Sequence, residues 1–308
     1  MKKIDDLHGK SYNPETEVCV TNGATQALFL AITAFVSPGD EVLVLKPAYD
    51  SYEPAIKLNG GKPVQVSLND DFSIDWELLR SCITPKTRML ILNTPHNPGG
   101  KVVPKAEMQK LEMLLKETDI LLLSDEVYEH IVFDDNKHFS ASSFPGLAER
   151  AIVCASFGKT FHNTGWKMGY CVAPEELMKE ILKVQQVNVF CVNHPMQRAL
   201  SEYLQEPEHY LGLGKFYQEK RDHFLRLISG SRFNWEPAQG TYFQLLDYSP
   251  ISEEGDLEFA TRLVKDNGLA AIPTSGFDHK NRNRFLLRFC FAKTNDTLEK
   301  AAAIIRSL

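Results

Sequence analysis

Long apolar stretches are missing from this chain. Its longest aliphatic runs, such as Ile120–Leu123, fall far short of the ~20 residues a bilayer crossing needs, and Met1–Lys10 has no apolar region behind its lysines. Neither a membrane span nor a secretory leader is predicted, and the expected location is the cytoplasm. Concentrations of one charge are missing too. Thirty-four Lys and Arg stand against 40 Asp and Glu, a formal charge of -6, with no basic run of the kind that binds a phosphate backbone, so nucleic acid is not expected as a partner. Cys19, Cys82, Cys154, Cys171, Cys191 and Cys290 are scattered without a C-x-x-C pair. Zinc and dithiol chemistry are therefore not predicted, and each reads as a reduced thiol in or near the core. With 18 glycines and 16 prolines in 308 residues, the composition is not that of a collagen or a low-complexity chain.

What is present is a chain long enough for two domains, and 43% hydrophobic, enough for substantial cores. Five short runs carry β character: Glu41–Leu45, Pro63–Val66, Arg88–Leu92, Ile120–Leu123 and Ala151–Cys154. Separated by helix-period stretches such as Lys105–Glu117, they predict an α/β domain with a mostly parallel sheet flanked by helices. Residues Pro174–Glu206 have helical periodicity, and Pro207–Gly230 reads as one long helix. A smaller C-terminal α+β domain is expected beyond, with strands at Gly240–Leu246 and Arg284–Phe291 and helices near Asp256–Asp266 and Thr297–Leu308. The boundary is placed near Glu206, giving a large domain of 1–206 and a small domain of 207–308. The opening Met1–His8 reads as the last turns of a helix ending at Gly9.

In parallel sheets ligands gather at the carboxyl ends of the strands. Three polar clusters fall there: Asn93–Gly100, Ser124–Tyr128 and Ser156–Thr160. Gly158-Lys159-Thr160 suggests a phosphate-binding loop, but Val153 occupies the position of the required first glycine. Gly212 and Gly214 fail as a dinucleotide fingerprint, because Tyr217 stands where the third glycine belongs. Lys159 directly follows a buried strand and shares its edge with an aspartate, an asparagine and a tyrosine. Such a lysine can lose solvation and serve as an amine nucleophile. Asn22-Gly23-Ala24-Thr25-Gln26 precedes the apolar helical stretch Ala27–Val36, which suits either an anion at a helix N-terminus or simple capping by Thr21 or Asn22. Taken alone, Asp125 reads equally as an N-cap, Asn97-Pro98-Gly99-Gly100 as a turn, and Tyr49 as a loop tyrosine. His96, His162 and His194 lack ligand spacing and read as pocket-lining or surface residues, and no metal site is expected.

Together with Pro47–Tyr52, Gly165-Trp166-Lys167-Met168-Gly169 and Leu287-Arg288-Phe289-Cys290-Phe291, these motifs occur in the order of a known family. From about Gly9 onward the chain resembles the fold-type-I, pyridoxal-phosphate-dependent aminotransferases, and within them the methionine and kynurenine/glutamine branch. The resemblance implies a large domain with a mostly parallel mixed sheet plus a smaller C-terminal domain. It makes Lys159 the residue that holds pyridoxal 5'-phosphate as a Schiff base and then shuttles the proton, and Asp125 the partner of the pyridine nitrogen. Asn97 and Tyr128 match the pair that bonds the cofactor's phenolic oxygen, and Tyr49 the ring that stacks on it. Gly23, Ala24, Thr25, Ser156 and Lys167 match the phosphate contacts, with Lys167 where other members often carry arginine. Arg288, with Asn97, matches the grip on the substrate α-carboxylate. The reaction implied moves an amino group from an L-amino acid, methionine, glutamine or an aromatic one, to a 2-oxo acid in a homodimer, with Phe190–Asn193 toward the partner. Two alternatives remain open: a cysteine-S-conjugate β-lyase, and a catalytically weak or silent homologue. Relatives carry a further N-terminal segment with a glycine-containing loop and a phosphate-reaching tyrosine, so this chain is expected to be incomplete at its front.

Overall fold

The computed structural model describes residues 2–278, 280 and 282–308. Its helices are α1 (Lys2–His8), α2 (Gly23–Phe35), α3 (Tyr52–Leu58), α4 (Trp76–Ser81), α5 (Lys105–Leu115), α6 (Pro145–Ala148), α7 (Phe157–Thr160), α8 (Glu175–Asn188), α9 (His194–Tyr203), α10 (Glu208–Leu211), α11 (Leu213–Ile228), α12 (Asp256–Asn267) and α13 (Asn295–Ser307). The larger sheet contains β1 (Val18–Thr21), β2 (Glu41–Lys46), β3 (Lys62–Ser67), β4 (Thr87–Asn93), β5 (Leu121–Asp125), β6 (Ala151–Ser156) and β7 (Gly169–Val172), in the order β1-β7-β6-β5-β4-β2-β3. Strands β2 to β6 run parallel, whereas β7 is antiparallel to both β6 and β1. All five runs read from the sequence are strands. β1 and β7 go beyond that reading, because four residues are too few to show a period.

Alternation along each strand decides which core a side chain enters. Val42, Val44, Met89, Ile91, Leu121, Leu123 and Ile152 pack with α2, α3 and α8 on one face. Leu43, Leu45, Leu90, Leu92, Leu122 and Val153 pack with α4, α5 and α6 on the other. Burial on both faces is why these strands read as continuous apolar runs. A second, antiparallel sheet of β8 (Phe243–Asp247), β9 (Ile272–Pro273) and β10 (Leu286–Cys290), in the order β8-β10-β9, lies against α11, α12 and α13. Its core also takes Tyr128, Ile131 and Phe133 from the segment after β5. Helix α1 straddles two cores: Ile4 enters the one under β2 and β4, and Leu7 packs against the one under the small sheet. Lys3 and His8 of α1 both meet Glu129, at 2.5 and 3.2 Å.

The structure departs from the sequence reading in two places. Pro207–Gly230 is two helices, because Gly212 ends α10 and caps α11; a Cβ two residues on, at Gly214, would stand 2.9 Å from the Val132 carbonyl oxygen. The stretch Pro174–Glu206 is helical as read, and holds α8 and α9. The segment between them stands off the core, leaving Phe190 77% exposed and placing Cys191 at the surface rather than near the core. The predicted opening helix is α1, followed by Gly9 at φ +65°; Met1 lies outside the described residues. Among those residues no helix is long and apolar enough to cross a membrane.

One edge of the large sheet collects the polar segments. β4, β5 and β6 end there in Asn93, Asp125 and Ser156, and β2 ends there before Pro47. Gly169, the first residue of β7, pairs with both Thr21 and Ser156, so β1, β6 and β7 meet at the same edge. A Cβ on Gly169 would lie 2.7 Å from the Ala24 nitrogen and 2.8 Å from the Ala155 oxygen. Only glycine permits this approach of β7 to the start of α2.

Candidate active site

Lys159 lies in α7, the single turn after β6. The turn is held by Ser156, whose Oγ accepts from the Lys159 backbone N–H at 3.3 Å. The Lys159 amine donates to the Tyr242 hydroxyl at 3.0 Å. Around it Gly23, Ala24, Thr25, Tyr49, Asn97, Asp125, Tyr128, Ser156 and Lys167 line one open cleft holding about 690 Å³ of space. Arg288 adjoins that cleft through Asn97, to whose Oδ1 its Nη1 donates. The sequence-derived residues thus converge, from five strand ends and two sheets, on one place.

The N-terminal edge of the cleft suits an anion. Asn22 makes no side-chain cap on α2, and the Thr21 hydroxyl donates instead to the Gly23 carbonyl at 2.9 Å, so the capping reading of this segment is not realised. The first-turn N–H groups of α2 carry the positive end of a 13-residue helix. Lys167, at φ +54°, sets its amine against Gly23, where a Cβ would be 3.6 Å from Nζ. The Thr25 hydroxyl lies 3.5 Å from that of Tyr49.

Asp125 is buried at the end of β5. Its Oδ2 accepts from the Tyr52 hydroxyl at 2.5 Å, its Oδ1 from the Val127 N–H at 3.4 Å, and its carbonyl from Asn93 Nδ2 at 2.9 Å. Residues 127–130 form a turn rather than a helix, so Asp125 is not an N-cap. Burial pushes its carboxyl up to about 6, against the opposing pull of Tyr52, Val127 N–H and Lys159. Tyr128 is buried with its ring edge-on to Tyr242, centroids 5.3 Å apart, and burial, then Tyr242, push its hydroxyl well above the usual range.

Asn97 receives its position from Asn93, whose Oδ1 accepts from the Asn97 N–H at 2.8 Å. His96 is buried and ties this turn to the Tyr49 loop: Nε2 lies 2.9 Å from the Pro47 carbonyl, and Nδ1 accepts from the Gly99 N–H at 3.2 Å. An acceptor at Nδ1 requires the proton on Nε2. Burial pulls the imidazole down to about 4. His162 and His194 are exposed, and His162 Nδ1 lies 2.7 Å from the Tyr217 hydroxyl. In β10, Arg288 has Phe243 and Phe277 rings 4.0 and 4.8 Å from its guanidinium carbon, while its Nε is buried without a partner among the described residues. A guanidinium so placed has an unmet hydrogen bond that a carboxylate satisfies.

A family described as aminotransferase class I and II matches residues 1–305. The chain belongs to that family. This aminotransferase is 45% identical over 309 residues to the methionine aminotransferase of Escherichia coli K12, spanning 100% of this chain and 80% of that one. It is 37% identical to kynurenine–oxoglutarate transaminase 3 of Bos taurus, spanning 100% and 75%. A solved E. coli structure identified with a methionine aminotransferase function has a TM-score of 0.98 at 45% identity, over 100% of this chain and 82% of that one. The N-succinyldiaminopimelate aminotransferase structure of Mycobacterium tuberculosis gives 0.95 at 36%, over 99% and 81%. The fold is the fold-type-I arrangement that the motifs implied.

Two residues that bond to groups of the aminotransferase's cleft, Tyr52 and Tyr242, escape a reading of the sequence, and so does the bonding of a third, Asn93, whose place at a strand end is legible. Tyr52 closes the hexapeptide that begins at Pro47, but only the turn into α3 directs it to Asp125 rather than into the cleft. Asn93 ends a strand run and orders both neighbouring strand ends. Tyr242 lies 83 residues from Lys159 and in the other sheet. Gly240-Thr241-Tyr242-Phe243 carries no local sign of that contact.

Proposed function

We propose that this aminotransferase uses pyridoxal 5'-phosphate, held covalently by Lys159, to move an amino group from an L-amino acid to a 2-oxo acid. The observation carrying this reading is the convergence of Lys159, buried Asp125 and the uncapped start of α2 on one cleft. The donors present fit the cofactor: an amine, a carboxylate to face a pyridine nitrogen, and an anion cradle of Gly23, Ala24, Thr25, Ser156 and Lys167. Bound there, pyridoxal phosphate supplies an electron sink for the pair left when the amino acid loses its Cα proton. Asp125 keeps the ring nitrogen protonated, Asn97 and Tyr128 hold the phenolic oxygen, and Tyr49 packs over the ring. Lys159 carries the proton, and Arg288 with Asn97 orients the α-carboxylate.

Substrates with apolar or aromatic side chains, methionine above all, are supported by the phenyl rings beside Arg288 and by the names of the two relatives. The proposed assembly is a homodimer, to which exposed Val187 and Phe190 belong. Six free cysteines fit a reducing cytoplasm. The proposed division is a cofactor-binding unit of 1–206 and a smaller unit of 207–308.

The test is spectroscopic and then enzymatic. Protein supplied with pyridoxal phosphate is expected to show a visible band that borohydride removes and that Lys159→Ala lacks. Methionine and a 2-oxo acid are expected to yield a new amino acid. A colourless protein sinks the cofactor assignment, and ammonia with pyruvate released from cysteine conjugates, without transfer, makes the protein a β-lyase.

A further inference from the structure

A segment of the small-sheet region that leads into β8 reaches the cleft at Lys159, through Tyr242. Gln239 and Gly240 both donate to the Gly100 carbonyl, at 2.9 and 3.0 Å, and Thr241 N–H donates to the Ile131 carbonyl at 3.0 Å. The segment is therefore fixed on one side to the turn carrying Asn97 and on the other to the segment carrying Tyr128. A Cβ at Gly240 would stand 2.8 Å from the Ile131 oxygen and 2.9 Å from Pro95 Cβ, so the fit leaves no slack.

Thr241, the next residue, is fully buried at φ +69°. A β-branched residue in the left-handed region is strained, and such strain persists only where its surroundings over-determine it. Here they do: its N–H is bonded to Ile131, and its Oγ1 accepts from the Phe243 N–H at 3.2 Å. The two side chains that follow this strained residue both point at site groups. The Phe243 ring lies 4.0 Å from the Arg288 guanidinium, and the Tyr242 hydroxyl accepts from the Lys159 amine at 3.0 Å. Tyr242 is supported from behind by the Tyr217 ring, 5.8 Å between centroids.

We propose that Tyr242 is a catalytic residue: its hydroxyl is the docking point of the free Lys159 amine, aiming the nitrogen into the cleft whenever it is not covalently engaged. The proposal rests on the reading of Lys159 given above. A hydroxyl that accepts an amine N–H leaves the nitrogen lone pair free. That lone pair attacks an aldehyde carbon; a C=N bond forms, and the aldehyde oxygen departs as water with both protons of the amine. The same contact returns the amine to one position after substrate releases it, which a proton carrier requires.

The experiment follows capture of added pyridoxal phosphate by cofactor-free protein, with borohydride trapping and peptide mass locating the adduct at Lys159. Tyr242→Phe keeps the ring and is expected to slow capture about tenfold. It is also expected to lower kcat by a similar factor with KM changed less than twofold, and to enlarge the isotope effect of an α-deuterated amino acid. The affinity for pyridoxal phosphate of Lys159→Ala is compared with that of Lys159→Ala/Tyr242→Phe; equal values show that the hydroxyl acts through the amine and not through the fold. Capture by Tyr242→Phe within twofold of wild type overturns the proposal, as does a loss of affinity that persists without Lys159. Wild-type protein with no adduct at Lys159 overturns the Lys159 reading and this inference together, whereas normal wild-type capture with unchanged Tyr242→Phe overturns this inference alone.

Discussion

The Tyr52 hydroxyl donates to Oδ2 of Asp125 across 2.5 Å, with both residues inside the protein. Two effects compete at this carboxyl. Burial disfavours its charge and raises it to about 6, while the tyrosine's hydrogen bond favours the charge and restrains the rise. Tyr52 is thus a device for keeping a carboxylate ionised in an apolar site.

Tyr52→Phe removes that donor and keeps the ring. The carboxyl then rises further above its ordinary range. A lost hydrogen bond to a charged group, about 1.5–3 kcal/mol, corresponds to roughly 10- to 100-fold weaker capture of pyridoxal phosphate at neutral pH. The acid limb of the affinity–pH profile is expected to move upward. Superimposable profiles for the two proteins would show that Tyr52 does not govern Asp125.

His96 links acid stability to site geometry. Its imidazole protonates at about 4 in the fold and at 6.5 in the unfolded chain, so between those values the unfolded state binds more protons. The stability it contributes is complete above 6.5 and is lost as pH falls toward 4, amounting to about 3 kcal/mol. Urea midpoints from pH 7 down to pH 4 are expected to fall less steeply in His96→Gln than in wild type. Parallel pH slopes would refute the assignment.

Arg288→Lys replaces a planar fork by a point charge. Weaker α-carboxylate binding is expected to raise KM by roughly 10- to 100-fold. Amines that lack a carboxylate are expected to react equally poorly with both proteins. Steady-state kinetics on such a matched pair decides: a variant that still prefers the amino acid by the wild-type factor excludes Arg288 as the carboxylate grip.

Gly169→Ala places a methyl against backbone atoms, at 2.7 Å from Ala24 N, which cannot rotate away. Overpacking of this kind costs about 1–3 kcal/mol. Because the displaced backbone is the start of α2, cofactor affinity is expected to fall together with the thermal midpoint. Lys167→Ala, by contrast, is expected to lower affinity with little change in the midpoint. Calorimetry with and without pyridoxal phosphate separates the two.

The central parallel strands were legible because burial on both faces leaves mostly apolar positions inside them: Val42 to Leu45 are apolar whichever core each enters. The cleft residues on the large sheet were legible for a related reason, since Asn93, Asp125 and Ser156 follow such runs directly. What the sequence conceals is created by distance. Tyr242 meets Lys159 only after two sheets dock, and Gly169 matters only once β7 lies against α2. The break at Gly212 was equally hidden, for the helical period continues through it and only the close contact of Gly214 with Val132 marks the restart.

Helix α1 has a consequence for the order of folding. Its bonds to Glu129 and Tyr170 close chain separations of 126 and 167 residues, so long loops must close before they form. Made before its partners, α1 can settle only after the chain through β7 has formed the surface that receives it. Its contacts then belong to the native side of the folding barrier, so loosening them, as in Lys3→Ala, accelerates unfolding and leaves the refolding rate nearly unchanged. The two cores it straddles owe to this short segment their lifetime rather than their formation.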